Sequence, residues 1–348
     1  MSPRVATLAV AGLLVVVLAA VAALLPVPYV ALSPGPTANT LGAVGGTDLI
    51  RIEGRRTFAT DGHLDLTTVS VLGGPRQRMD IVTALSGWLD DDVAIVPEEQ
   101  VYPDDETAEE AERQSAVEMT ESQENATTAA LRQLGIPVTT RVLVDELSDG
   151  SPARGRLEPG DVVLEVDGQP AAGGARLRAL ITAHEPGEQV RVAVRRDGKR
   201  VEASIKTSAA EDGRAIVGIL TKDEADYPFT VEISLRDVGG PSAGLMFALG
   251  IVDKLTPGAL TGGSYVAGTG TIDDAGQVGA IGGIPQKMDG AREVGATVFL
   301  VPEGNCAEAV DTAPDGLRLV KVDSLEHAVT ALDAMRAGRQ DDLPVCVG

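Results

Sequence analysis

Ser242 stands in Gly240-Pro-Ser-Ala-Gly244, between an alternating segment, Phe229–Leu235, and a strongly apolar run over Leu245–Leu255. A serine so placed sits at the amino end of a buried helix. There the unpaired N–H groups and the helix dipole favour negative charge, which the oxyanion of an acyl-transfer reaction requires. The same position also suits an ordinary serine N-cap, so the serine alone decides nothing. Its hydroxyl needs a base to become a nucleophile. The chain has three histidines, His63, His184 and His327, scattered over early strands, the middle segment and a late amphipathic helix. None belongs to an evident site. Lys287 is the alternative: it follows the uncharged stretch Val278–Pro285, at the start of a helix expected from Pro285. Apolar burial brings a lysine amine down from its usual ~10.4, far enough to serve as a base.

Several segments in order resemble the proteolytic domain of the Lon protease family. Gly240-Pro-Ser-Ala-Gly244 is similar to its nucleophile motif and Gly282-Gly-Ile-Pro-Gln-Lys287 to its lysine motif. Between them Thr269-Gly-Thr-Ile-Asp273 resembles its Thr-Gly strand, and Ala291–Pro302 its next helix and strand. The resemblance implies Ser242 as nucleophile, Lys287 as base and Thr269 as the residue orienting the lysine, with Gly240, Pro241 and Ala243 forming the nucleophile loop. Weaker likenesses lie upstream, at Leu64–Thr67 and at Met119–Leu131.

The chain also departs from the family. Gly239 stands where bacterial Lon enzymes carry an acidic residue, with Asp237 displaced nearby, and Val231–Leu235 lacks the histidines of some members. No Gly-x-x-x-x-Gly-Lys-[Ser/Thr] loop occurs, so the nucleotide-driven motor is missing. The likeness therefore implies a serine endopeptidase that cleaves unfolded or flexible polypeptides without ATP. It implies no cofactor and no metal, and suggests a ring-forming homo-oligomer. Two rivals remain open: a non-catalytic PDZ adaptor on a protease-like scaffold, and a Ser–His esterase built on Gly-x-Ser-x-Gly with His327.

The elements that must carry these residues are read from pattern. Val5–Leu25 is an uncharged run preceded only by Arg4 and the amino terminus. It is long enough for a ~30 Å hydrocarbon layer, and the positive-inside rule puts the N-terminus in the cytoplasm and the rest outside. A cleaved signal peptide is the rival reading. Pro26–Gly46 reads as an extended tether, and Leu49–Glu53 and Gly62–Val71 as strands. Thr107 and Glu110 make a capping-box pattern for a helix that Gly135 and Pro137 end. The net charge of −22 argues against nucleic acid as a partner. Cys306 and Cys346 match no metal spacing, and leave a disulfide or two free thiols open.

Ser151–Gly168 resembles the signature of bacterial PDZ domains, with Ala175–His184 as groove helix and Gln189–Arg195 and Arg200–Ile205 as closing strands. The family's carboxylate-binding loop is expected at Leu134-Gly135-Ile136, in degenerate form. Such domains bind an extended peptide at a sheet edge. The expected fold class is α+β: a Lon-type proteolytic domain with an inserted PDZ-like β-rich domain, after a single N-terminal transmembrane helix. The boundaries read 1–27 anchor, 28–135 tether and first part of the protease fold, 136–208 PDZ domain, 209–340 proteolytic domain and 341–348 tail.

Overall fold

The computed structural model describes residues 3–23, 25–75, 77–90, 92–102, 107–235 and 238–347, apart from the side chains at 6, 9, 19 and 22. Two compact units emerge: Met1–Gly135 joined with Phe229–Gly348, and Ile136–Pro228. Asp237 lies outside the described residues.

The first unit opens with a helix over Pro3–Ala23. Among the described residues no helix is long and apolar enough to cross a membrane. The stretch expected as a tether is instead part of the fold. Tyr29–Pro34 is the middle strand of a three-stranded antiparallel sheet, between Ala94–Pro97 and Val69–Gly73. Ala38–Asn39 joins a second sheet. Small and proline residues disguised both strands, although Val30 and Ala31 are buried.

The second sheet runs in the order Arg318–Val322, Val298–Pro302, Tyr265–Gly268, His63–Leu66, Ala38–Asn39. Its first four strands are parallel and the last is antiparallel. The segment Gly62–Val71, read as one strand, is therefore two strands in two sheets, parted at Thr67 and Thr68. The long helix Ala108–Gln133 starts with the expected capping box, Thr107 accepting from the Glu110 N–H while the Glu110 carboxylate accepts from the Thr107 N–H. Its buried face packs on Gly244–Leu255, a helix in which every residue but Lys254 is buried. That burial explains the apolar run from Leu245 to Val252, since a helix enclosed on all sides needs no polar stripe. A disulfide joins Cys306 to Cys346.

The second unit is a sheet in the order Lys199–Lys206, Gln189–Arg196, Val162–Val166, Thr139–Leu147, Ile219–Asp226, with the helix Gly174–Thr182. Val142, Val144, Leu157, Val163, Val190 and Val192 are among its core residues. It extends beyond the expected boundary at 208, and the protease chain resumes at Phe229. The closing strand is hard to read because Leu220–Asp223 are exposed. The ladder to Thr139–Leu147 and the Arg141–Glu224 ion pair hold it instead.

Candidate active site

The turn that carries Ser242 is held from both sides. From the long helix, Ser122 donates its hydroxyl to the Pro241 carbonyl at 2.9 Å, and the Ser115 carbonyl accepts from the Gly240 N–H at 3.1 Å. From the strand end Gly268–Gly270, the Ser242 carbonyl receives the Gly270 N–H at 2.8 Å and the Thr269 hydroxyl at 3.0 Å. The Leu245 N–H returns a bond to the Gly270 carbonyl at 3.1 Å. The Ser242 and Ala243 N–H groups precede the regular helix and have no acceptor among the described residues. They are the donors available to an oxyanion at this turn.

Gly239, the departure noted in the sequence, has a local cause. A Cβ there would lie 1.9 Å from the Ser115 Oγ, so no larger side chain fits while Ser115 keeps its place. Gly240 has φ +79°, a region that glycine occupies without the usual penalty.

Lys287 reaches the turn from the helix Ile284–Glu293. The residue before that helix, Gly283, is left-handed at φ +69°, and a Cβ there would meet Val69 at 2.7 Å. The Lys287 Nζ lies 2.8 Å from the Ser242 Oγ and 3.1 Å from the Thr269 Oγ1. Lys287 is only 3% exposed. Burial pushes its ammonium down to about 8. Asn305 steadies the loop ahead of the lysine: its side chain accepts from the Ile281 N–H and donates to the Ile281 carbonyl.

The three residues singled out for chemistry thus meet at one point, with Gly240, Pro241 and Ala243 around them. Ser242, Ala243, Gly282 and Lys287 line one cleft of about 650 Å³. The edge strand Val69–Gly73 forms its opposite wall, and Tyr102 and Ser115 also contribute. None of the histidines lines that cleft. His327 sits at the start of its helix, paired with Asp323 and away from Ser242, so the base that the esterase reading needs is not at the serine.

Residues 236–334 match the model of the Lon protease (S16) C-terminal proteolytic domain, and residues 116–207 match that of the PDZ domain. The chain carries a Lon-type proteolytic domain and a PDZ domain. The PDZ match starts within the long helix, whereas the PDZ unit as folded is Ile136–Pro228. A Lon protease of Clostridioides difficile is 35% identical over 79 residues, 23% of this chain and 10% of that protein. A probable periplasmic serine endoprotease DegP-like of Pseudomonas putida is 34% identical over 80 residues, 23% of this chain and 17% of that protein. The chain thus spans less than a fifth of the length of either relative. Among solved structures, the PDZ domain of an SdrC-like protein from Listeria innocua is 32% identical, covering 23% of this chain and 92% of that one at a TM-score of 0.23.

The PDZ domain has an apolar groove of about 400 Å³ between the helix Gly174–Thr182 and the chain from Arg214 to Thr221. Leu177, Ile181, Ile216 and Ile219 are among its walls. The expected carboxylate loop is therefore misplaced. Leu134 caps the long helix of the proteolytic unit, Gly135 ends that unit, and none of Leu134, Gly135 and Ile136 lines the groove. The groove turn is Val217-Gly-Ile219 instead. Gly218 there has φ +71°, and a Cβ on it would meet Ser148 and Ser151 side chains below 3 Å. The pattern Arg214-x-x-Val-Gly-Ile219 was the available signal, hidden by its place after the other strands. Ser115, Ser122 and Asn305 carried no signal of their own, because a serine or asparagine within a helix or after a strand is ordinary.

Proposed function

We propose that the chain is an ATP-independent serine endopeptidase using a Ser242–Lys287 dyad, tethered outside the cytoplasmic membrane by its N-terminal helix. The carrying observation is a buried lysine amine 2.8 Å from a serine hydroxyl, with no carboxylate paired to it among the described residues. In its neutral form Lys287 accepts the Ser242 proton as Oγ attacks the peptide carbonyl, then delivers it to the leaving amine. The Ser242 and Ala243 N–H groups face the developing oxyanion. Water, deprotonated by Lys287, releases the acyl group. Thr269 is a positioning residue, since its hydroxyl joins the lysine amine to the Ser242 carbonyl.

The edge strand Val69–Gly73 favours substrates that are extended and can add a strand to the cleft wall. Such a segment must already be unfolded, which agrees with matched family models that name no motor. The PDZ groove selects peptides in the same extended form. The anchor rests on a 21-residue N-terminal helix whose Leu8, Leu13, Val16 and Leu18 side chains are exposed apolar groups. An exported location also agrees with the Cys306–Cys346 disulfide.

Purified full-length chain in detergent should cleave an unfolded protein such as reduced casein and react with a fluorophosphonate probe, with or without ATP. Ser242→Ala, Lys287→Ala and Lys287→Arg should each lose about 10⁴-fold or more, and the Ser242→Ala, Lys287→Ala double variant little beyond that. Near-normal turnover by Lys287→Arg would exclude the lysine as base, because a guanidinium keeps its proton.

A further inference from the structure

The helix Ile81–Gly87 is packed the reverse of an ordinary surface helix. Its small residues Ala84 and Gly87 face inward, Ala84 against a cluster with Ala31 and Met79. A Cβ on Gly87 would lie 2.6 Å from Ile95, so the helix lies flush on the sheet with no room for larger residues beneath it. The large apolar residues point away: Val82, Leu85, Trp88 and Leu89 are 55%, 50%, 63% and 88% exposed. Their spacing places them on one face. Trp88 is the only tryptophan in the chain, and it meets Tyr29 edge-on at 6.5 Å.

A short ladder fixes where this face lies. Pro26 pairs with Asp80 and Val27 with Met79, so the segment that launches the exposed face is bonded to the chain just past the N-terminal apolar helix. From Ala23 to Pro26 the chain can span at most roughly 10 Å. The apolar helix itself touches Ile81–Gly87, and Leu25, which follows that helix in the chain, is 55% exposed. If the N-terminal helix ends at a bilayer surface, the face of Val82, Leu85, Trp88 and Leu89 is held at that surface.

We propose that this face is a membrane-docking surface that inserts into the headgroup and upper acyl region of the bilayer carrying the anchor. The proposal rests on the anchor reading above. Tryptophan is favoured at such an interface, with its ring partly in hydrocarbon and its N–H hydrated. Contact is apolar and not ionic, because Arg78 precedes the patch and Asp90 and Asp92 follow it. The docked body is thereby held flat against the lipid and does not hang freely on the connecting residues. Docking follows from apolar area, so it needs no anionic lipid and survives high salt.

The sole tryptophan makes the test direct. The full chain is reconstituted into phosphatidylcholine vesicles, floated on a density gradient, and its emission followed with lipids brominated near the headgroup and with aqueous iodide. Docking predicts flotation, blue-shifted emission, quenching by the bromolipid and protection from iodide. Val82→Gln, Leu85→Gln and Leu89→Gln together should leave flotation intact and lower the bromolipid quenching at least about twofold. A chain that does not float overturns the anchor reading and the docking with it. A chain that floats with Trp88 open to iodide and blind to bromolipid overturns the docking alone. Trp88 shielded from both quenchers means that another copy of the chain covers the face, and that also overturns it. Bromolipid quenching unchanged by the triple substitution assigns the contact to the anchor and removes the face from it.

Discussion

Asn305 grips Ile281 by both backbone groups, accepting from its N–H at 2.9 Å and donating to its carbonyl at 2.8 Å. Ile281 begins the loop through Gly282 and Gly283 that launches the lysine helix, so this amide fixes where Lys287 starts. Asn305→Ala frees both groups. Turnover should fall by about 10- to 100-fold, the range expected when a reacting group is misplaced by an ångström. A second readout separates positioning from simple loss of fold. Water admitted by a loosened loop should move the pH midpoint of activity upward from its wild-type value.

That wild-type value follows from Lys287. Its folded pKa is about 8 against 10.5 for the free side chain. The neutral form is the base, so kcat/KM for a small peptide should rise with pH and level off above about 8. The stability effect has a definite sign. Between these two values the unfolded chain binds more protons than the folded one, so this residue's contribution to stability rises with pH there. Below about 8 its full cost is present. Lys287→Met should therefore raise stability near pH 7 by roughly 1–3 kcal/mol while abolishing activity. Urea titrations at pH 7 and pH 10 should show the gain shrinking at the higher pH. An equal gain at both would contradict the depressed pKa.

Gly239 and Ser115 should behave as a coupled pair. Gly239→Ala drives a Cβ into the Ser115 hydroxyl, and overpacking of this kind costs about 1–3 kcal/mol. The nucleophile turn should shift, with loss of both probe labelling and turnover. Ser115→Gly, which empties the space, should restore much of the labelling in the double variant at the expense of about 1 kcal/mol of helix stability. Additive losses would mean that the two positions do not share that space.

The PDZ groove offers a separate test. Ile216→Asp places a carboxylate on an apolar wall from a half-buried position. Binding of fluorescent C-terminal peptides, measured by anisotropy, should weaken at least about tenfold. Cleavage of a short peptide that does not need the groove should continue unchanged. Loss of both together would place the substitution's effect in folding.

How legible the sequence was depended on how local each signal is. Ser242 and Lys287 could be found because glycine-rich turns flank each, and the helix Ala108–Gln133 because a capping box is written in four consecutive positions. Strands lost to Pro and small residues, such as Tyr29–Pro34, were invisible, since what makes them strands is pairing with Val69–Gly73 and Ala94–Pro97. The groove turn at Val217–Ile219 was missed for a related reason. Its strand closes against Thr139–Leu147, a relation no window of neighbouring residues contains. Ser122 and Asn305 gain meaning only from carbonyls far along the chain, and no spacing rule reports them.

The PDZ domain enters and leaves through paired strands, Thr139 lying opposite Asp226. Its two ends are therefore adjacent, while the strands His63–Leu66 and Tyr265–Gly268 of the proteolytic unit must meet across it. For an unstructured chain, closing that loop would carry a large entropic cost and slow the search. Once the insert folds, its own stretch, Ile136–Pro228, contributes only the width of a strand pair to that loop. The PDZ domain, once folded, thereby shortens the path by which the proteolytic domain finds its own first part. A growing chain completes Ser115 and Ser122 early but has no Ser242 for them to hold until the whole insert has been made.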